Sequence, residues 1–110
     1  MKNIYICSPL RGDYEANTSN AIQYCKMATM LGVNPIAPHI YYPQFMDDTN
    51  QCEREIGTMF GLELLKICSE VWIFGNISAG MSGEIKAAQG LNIPVVDGFE
   101  AMRVMRIEEE

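Results

Sequence analysis

An unbroken apolar run that gives way to a glycine- and serine-rich turn constrains this chain more than any other feature. It spans Glu70 to Ala88, EVWIFGNISAGMSGEIKAA. Val71 to Phe74 are β-branched or aromatic without interruption, which suits a parallel strand covered on both faces. Gly75, Gly80 and Gly83 permit tight turns and close backbone approach, and Ser78 and Ser82 add hydroxyls, all near a helix N-terminus whose free N–H groups attract anions. Strand, turn and helix in that order build a ligand site at the edge of an α/β sheet. Glu84 is expected in the first turn of the helix. A carboxylate there either serves a ligand or only complements the helix dipole, an effect of about 0.3–1 kcal/mol. The residue three before it is Met81, so no Ser/Thr-x-x-Glu capping box accounts for it.

The flanking pattern extends the same architecture. Lys2 to Cys7 reads as a short central strand. Ser19 to Leu31 places Ala21, Ile22, Cys25, Ala28 and Leu31 at helical spacing, with Asn17 or Thr18 as its cap and Gly32 to end it. Val33 to Pro38 predicts a second strand, and its prolines at 35 and 38 push it to an outer position. A capping pattern from Asn50 to Glu53 opens a helix running to Cys68, another helix ends at Gly90, and Ile93 to Val96 is a last parallel strand. Phe99 to Ile107 predicts a short closing helix, and the terminal Glu run is expected to fray. The alternation predicts a three-layer α/β sandwich, a parallel sheet of four to five strands with right-handed crossovers and helices on both faces.

In such a sheet the loops at the strand carboxyl ends carry the ligand. Three of them hold the informative residues. Ser8, Pro9, Leu10, Arg11 and Gly12 form the first; Arg11 is its only cation, and either forks a phosphate or pairs with Asp13 or Glu15 on the surface. This is not a dinucleotide fingerprint, because Gly-x-Gly-x-x-Gly is missing. The second loop, His39 to Asp48, is aromatic-rich, and Tyr41, Tyr42 and Phe45 make either a stacking wall for a base or a lid or dimer contact. His39 is a catalytic group or a hydrogen-bonded loop anchor. The third is the Ser78 turn. Glu63 interrupts the apolar half of its helix; turned over the sheet edge it would give the cleft a second carboxylate, and turned outward it is a solvated face residue.

At 110 residues the chain is expected to form one domain over residues 1–110, too small for a separate substrate domain, so a deep cleft is expected to borrow walls from a second subunit. A net charge of −6 with no basic stripe argues against nucleic-acid polymers as partners. Cys7, Cys25, Cys52 and Cys68 form no CxxC pair and lie apart from His39, so no metal site and no cofactor are expected, and most of these thiols read as small buried hydrophobes in a reducing compartment. No signal peptide and no membrane-length apolar run is visible in the sequence, which places the chain in the cytoplasm, off the membrane.

Taken together, Tyr5 to Gly12 (YICSPLRG), Pro38 to Pro43 (PHIYYP), and Trp72 to Gly75 followed by Ile77 to Ala88 resemble the nucleoside 2-deoxyribosyltransferase superfamily, and more closely its short phage and bacterial branch. The resemblance covers roughly residues 4–96. It implies a flavodoxin-like or Rossmann-like fold, a nucleoside or nucleotide ligand, and assembly as a homodimer or higher oligomer. It further implies Glu84 as the nucleophile and Glu63 near the base or proton-transfer path. Ser8, Arg11 and Gly12 would approach the sugar or phosphate, and Ser78, Gly80 and Met81 would form the turn holding its hydroxyl or phosphate side. Position 63 is Glu where the superfamily usually has Asp, and position 70 is Glu where it commonly has Asp. The resemblance therefore implies cleavage or transfer of an N-glycosidic bond. The alternatives are a non-catalytic phage sponge that sequesters an ADP-ribose-derived or cyclic nucleotide signal, and an interaction protein that uses the aromatic loop as an interface.

Overall fold

In a computed structural model, which describes residues 1–109, four parallel strands lie in the order β2-β1-β3-β4. The strands are β1 (Asn3–Cys7), β2 (Asn34–Ile36), β3 (Glu70–Ile73) and β4 (Val95–Asp97). The helices are α1 (Tyr14–Met30), α2 (Pro38–Tyr41), α3 (Gln51–Leu65), α4 (Ala79–Gly90) and α5 (Gly98–Glu109). β1 and β3 occupy the centre, and their register pairs Ile4 with Glu70 and Cys7 with Ile73. β2 is an edge strand of three residues containing Pro35, where a missing N–H costs least.

Alternation along β1 sorts its side chains between two cores. Ile4 and Ile6 pack with Trp72, Phe74, Ala28 and Met102 on the face covered by α1 and α5. Tyr5 and Cys7 pack with Val71, Leu65, Met81 and Ala88 on the face covered by α3 and α4. The architecture is the expected three-layer α/β sandwich, at four strands. The chain leaves β1 for β2 on one side and reaches β3 on the other, so the strand order reverses between β1 and β3. That is the switch point where crevices open at the carboxyl edge.

Local details depart from the sequence expectations for identifiable reasons. α1 begins earlier, because Asp13 rather than Asn17 or Thr18 is the N-cap and accepts from the Ala16 amide at 3.2 Å. Asn17, released from capping, donates its side-chain amide to the carbonyls of Leu10 and Arg11 and braces the first loop from inside the helix. The aromatic segment after β2 is helical rather than a loop: Pro38 stands at the start of α2, where its fixed φ suits a first helical turn, and a 3-10 turn follows over Tyr42–Gln44. α3 ends at Leu65, and Cys68 lies just beyond it, buried. α5 continues the expected closing helix through Glu109, and the last residue of the terminal Glu run, Glu110, lies outside the described residues.

Phe74 closes the core at the end of β3, stacked on Tyr24 with ring centroids 4.2 Å apart and met edge-on by Phe99 at 5.1 Å. A Cβ at Gly98 would overlap the Phe74 ring. Gly98→Ala should therefore destabilise the protein by about 1–3 kcal/mol through overpacking, read as a lower denaturation midpoint at an unchanged m-value.

Candidate active site

The loops after β1 and β2 and the turn before α4 open on one edge of the sheet, and between them and α3 lies a cavity of about 620 Å³. Its first polar feature is the approach of Tyr5 to Glu84. Tyr5 sits in the middle of β1 and points toward α3 and α4, and Glu84 comes from the α4 side. Glu84 lies in the second turn of α4 rather than the first, because Ser78 is the N-cap and Ala79 starts the helix. The helix terminus is thus too remote to govern its ionisation. Burial governs it instead: desolvation pushes the Glu84 pKa from 4.5 up to about 7, partly offset by the Tyr5 hydroxyl, whose hydrogen bonding favours the carboxylate. Its Oε2 is buried with no hydrogen-bond partner. The same burial, with the Glu84 charge added, drives the Tyr5 hydroxyl and the Cys7 thiol upward, so both stay protonated.

Ser8 and His39 form the second polar feature. Ser8 is only 4 % exposed, and its hydroxyl shares a 2.7 Å hydrogen bond with His39 Nε2, tying the β1 loop to α2. Desolvation pushes the His39 pKa down to about 4, so the ring is neutral at pH 7, and Nδ1 is buried without a partner. Of the expected alternatives, loop anchor or catalytic group, the hydrogen bond to Ser8 gives His39 the geometry of the anchor, and the residue also lines the cavity.

At the α4 end, Ser78 accepts from the Met81 amide at 3.3 Å, and Met81 Sδ accepts from the Ser78 amide at 3.4 Å. Met81 itself belongs to the core, at 1 % exposure. The amides of Ala79 and Gly80, both on the cavity wall, fall among the first-turn donors that a helix leaves without internal partners.

Of the residues singled out in the sequence, Glu84, Ser8, Leu10, Arg11, His39, Ser78, Gly80 and Met81 all border this cavity. Others do not. Glu63 points away: its side chain is 61 % exposed and pairs with Lys66 at 2.8 Å, since on α3 the cavity is lined by Glu53, Arg54, Gly57, Thr58, Gly61 and Leu62 and 63 falls off that face. Tyr41 is exposed and packs edge-on against Tyr42 and Phe45; only Tyr42 of the three lines the cavity. Pro9 borders a separate polar hollow of about 230 Å³ with Asn17 and Asn76. Gly12 makes the turn into α1 at φ 100°. Arg11 pairs with neither Asp13 nor Glu15 but with Asp48, Nε to Oδ2 at 3.2 Å.

The sequence pattern does not mark Tyr5, Arg54 or Gly61 as cavity residues. Tyr5 reads as a plain strand residue, and Glu84 is distant from it in sequence. Gly61 carried a usable signal, because glycine inside a helix costs about 1 kcal/mol; a Cβ there would come within 3.2 Å of Pro38 and 3.8 Å of the Tyr5 hydroxyl.

A family model described as Domain of unknown function (DUF7768) matches residues 2–97. The chain belongs to that family. No curated protein matches its sequence. Among solved structures it is similar to a 2-deoxyribosyltransferase from the psychrotolerant bacterium Bacillus psychrosaccharolyticus, with a TM-score of 0.64 and 21 % identity over 86 % of this chain and 70 % of that one. The two share the α/β fold. No helix among the described residues is long and apolar enough to cross a membrane.

The buried carboxyl has a cost that pH exposes. Below about pH 4.5 Glu84 is protonated folded or unfolded, and burial carries no penalty. As pH rises from 4.5 to 7 the unfolded chain gives up its proton first, so stability falls, by about 3 kcal/mol in full above pH 7. Glu84→Gln removes that penalty. Its melting temperature should exceed that of the wild type at pH 8 and the gap should close at pH 5, measured by thermal unfolding across the range.

Proposed function

We propose that this protein binds a nucleoside or nucleotide and breaks or transfers its N-glycosidic bond through Glu84. The observation that carries the proposal is the Glu84 carboxyl on the cavity wall, desolvated, close to Tyr5 and with its Oε2 unpartnered. The shared fold with a 2-deoxyribosyltransferase and the motif resemblance support it; the motifs alone are the ground for a place in the short phage and bacterial branch of that superfamily. In the reaction, one carboxylate oxygen bonds to the anomeric carbon as the carbon–nitrogen bond breaks. The departing base keeps the bonding electrons and takes a proton from solvent in the cavity. Water, or a second base, then attacks the anomeric carbon of the glycosyl ester and frees the carboxylate. Tyr5 orients the nucleophile and favours its ionised form; Ser8 and neutral His39 offer hydrogen bonds to the sugar.

A second function uses the same cavity without turnover, as a sponge for an ADP-ribose-derived or cyclic nucleotide signal in an anti-defence role. The exposed position of Glu63 favours it, since a second carboxylate is missing from where the superfamily resemblance puts one. The protein is cytoplasmic and homo-oligomeric in either case, without cofactor.

The nucleophile must be ionised, so base release should rise with pH through an apparent pKa of about 7 and level off above it. Tyr5→Phe removes the hydrogen bond that favours the anion and should move that limb to higher pH, while Glu84→Gln should abolish release and leave ligand binding in place. Base release measured by chromatography over a nucleoside and nucleotide panel decides between the functions. Turnover by Glu84→Gln at the wild-type rate would remove Glu84 from the chemistry, and wild-type binding with every ligand recovered intact would leave only the sponge.

A further inference from the structure

The cavity wall also carries Arg11, Asp48, Glu53 and Arg54, which the glycosyl chemistry does not use. On α3, Arg54, Gly57, Thr58, Gly61 and Leu62 all line it, the i, i+3, i+4, i+7, i+8 spacing of a single helix face. Gly61 marks one end of that stripe, because a side chain there would reach the Tyr5 hydroxyl. Arg54 marks the other. Seven residues at the helical rise separate them, about 10 Å along the axis. Gly57 stands between them, facing Tyr42, where a Cβ would make an ordinary contact at 3.7 Å.

The two arginines on the wall are not equivalent. Arg11 is held by Asp48 at 3.2 Å. Arg54 makes no ion pair among the described residues, and its sequence neighbour Glu53 is turned to accept from the Asp47 amide. A guanidinium without a carboxylate partner at a cavity wall is a bidentate donor for a phosphate. Thr58 stands one turn further along the same face, although its hydroxyl donates to the Arg54 carbonyl at 2.9 Å.

We infer that Arg54 forms a phosphate subsite at the far end of the cavity from Glu84, so that the ligand is a nucleotide whose phosphate lies across the cavity from its glycosidic bond. The inference rests on the proposed glycosyl cleft for the nucleotide part of the ligand, but the anion site itself is testable without it. The probe is inorganic pyrophosphate at constant ionic strength, titrated into the wild type, Arg54→Gln, Arg54→Lys and Glu84→Gln, and followed by amide NMR shifts. Saturable binding should shift the Arg54, Gly57 and Thr58 amides. Arg54→Gln should weaken it by roughly tenfold or more, Arg54→Lys by less because the charge survives without the fork, and Glu84→Gln should retain it. Equal binding by Arg54→Gln, no saturable binding by the wild type, or shifts confined to other regions would each overturn the subsite. Arg54 is exposed, so its variants fold. Arg54-dependent pyrophosphate binding in a protein that releases no base would uphold the subsite and sink the glycosyl chemistry. Base release with Arg54-independent pyrophosphate binding would do the reverse.

Discussion

The desolvated Glu84 carboxyl against Tyr5 is the interaction on which the account of this protein turns. A carboxyl raised to about pKa 7 is unfavourable to folding at neutral pH, and nothing in the surrounding core requires one. Gln would fit the same space without the charge. The stabilisation that offsets it comes from two apolar cores, one on each face of a parallel sheet whose central strands bury Ile4 to Cys7 and Val71 with Trp72. The sheet can hold Glu84 in place because β1 and β3 are buried on both sides and register-locked.

The same constraint explains the cavity. At the point where strand order reverses, helices diverge on the two sides of the sheet. α3 is kept clear of Tyr5 by Gly61, α2 is brought in by Pro38, and the Ser8–His39 hydrogen bond joins the loops above them. Each element contributes a small feature, and together they enclose a space lined by the buried Glu84, a neutral histidine, the Arg11–Asp48 pair, Glu53 and an unpaired Arg54. Glu84 on α4 and Arg54 on α3 stand apart on the wall, which fits an elongated polar ligand better than a compact ion.

Much of this was legible in the sequence, because the signals were local. The apolar run at Val71 to Phe74, the alternation of strand and helix patterns and the edge prolines led to the sheet directly, and the resemblance in the three loop motifs pointed to one rim. What was hidden depended on orientation or on distant partners. Glu63 and Leu62 are neighbours in sequence, yet a 100° turn of helix sends one to solvent and the other to the cavity. Arg11 finds Asp48, 37 residues away, where only the near acids could be weighed from sequence. Gly80 and Gly83 read as loop in the sequence, which puts Glu84 in a first turn; Ser78 capping on Met81 draws them both into the helix and moves the acid beyond the dipole's reach.

The most direct test of Glu84 as nucleophile is peptide mass spectrometry of the protein quenched in acid after incubation with a panel of deoxynucleosides and their monophosphates. The account predicts a sugar ester on the peptide containing Glu84 and its absence in Glu84→Gln. Free base released with no ester on that peptide, at a rate that Glu84→Gln does not change, would contradict it.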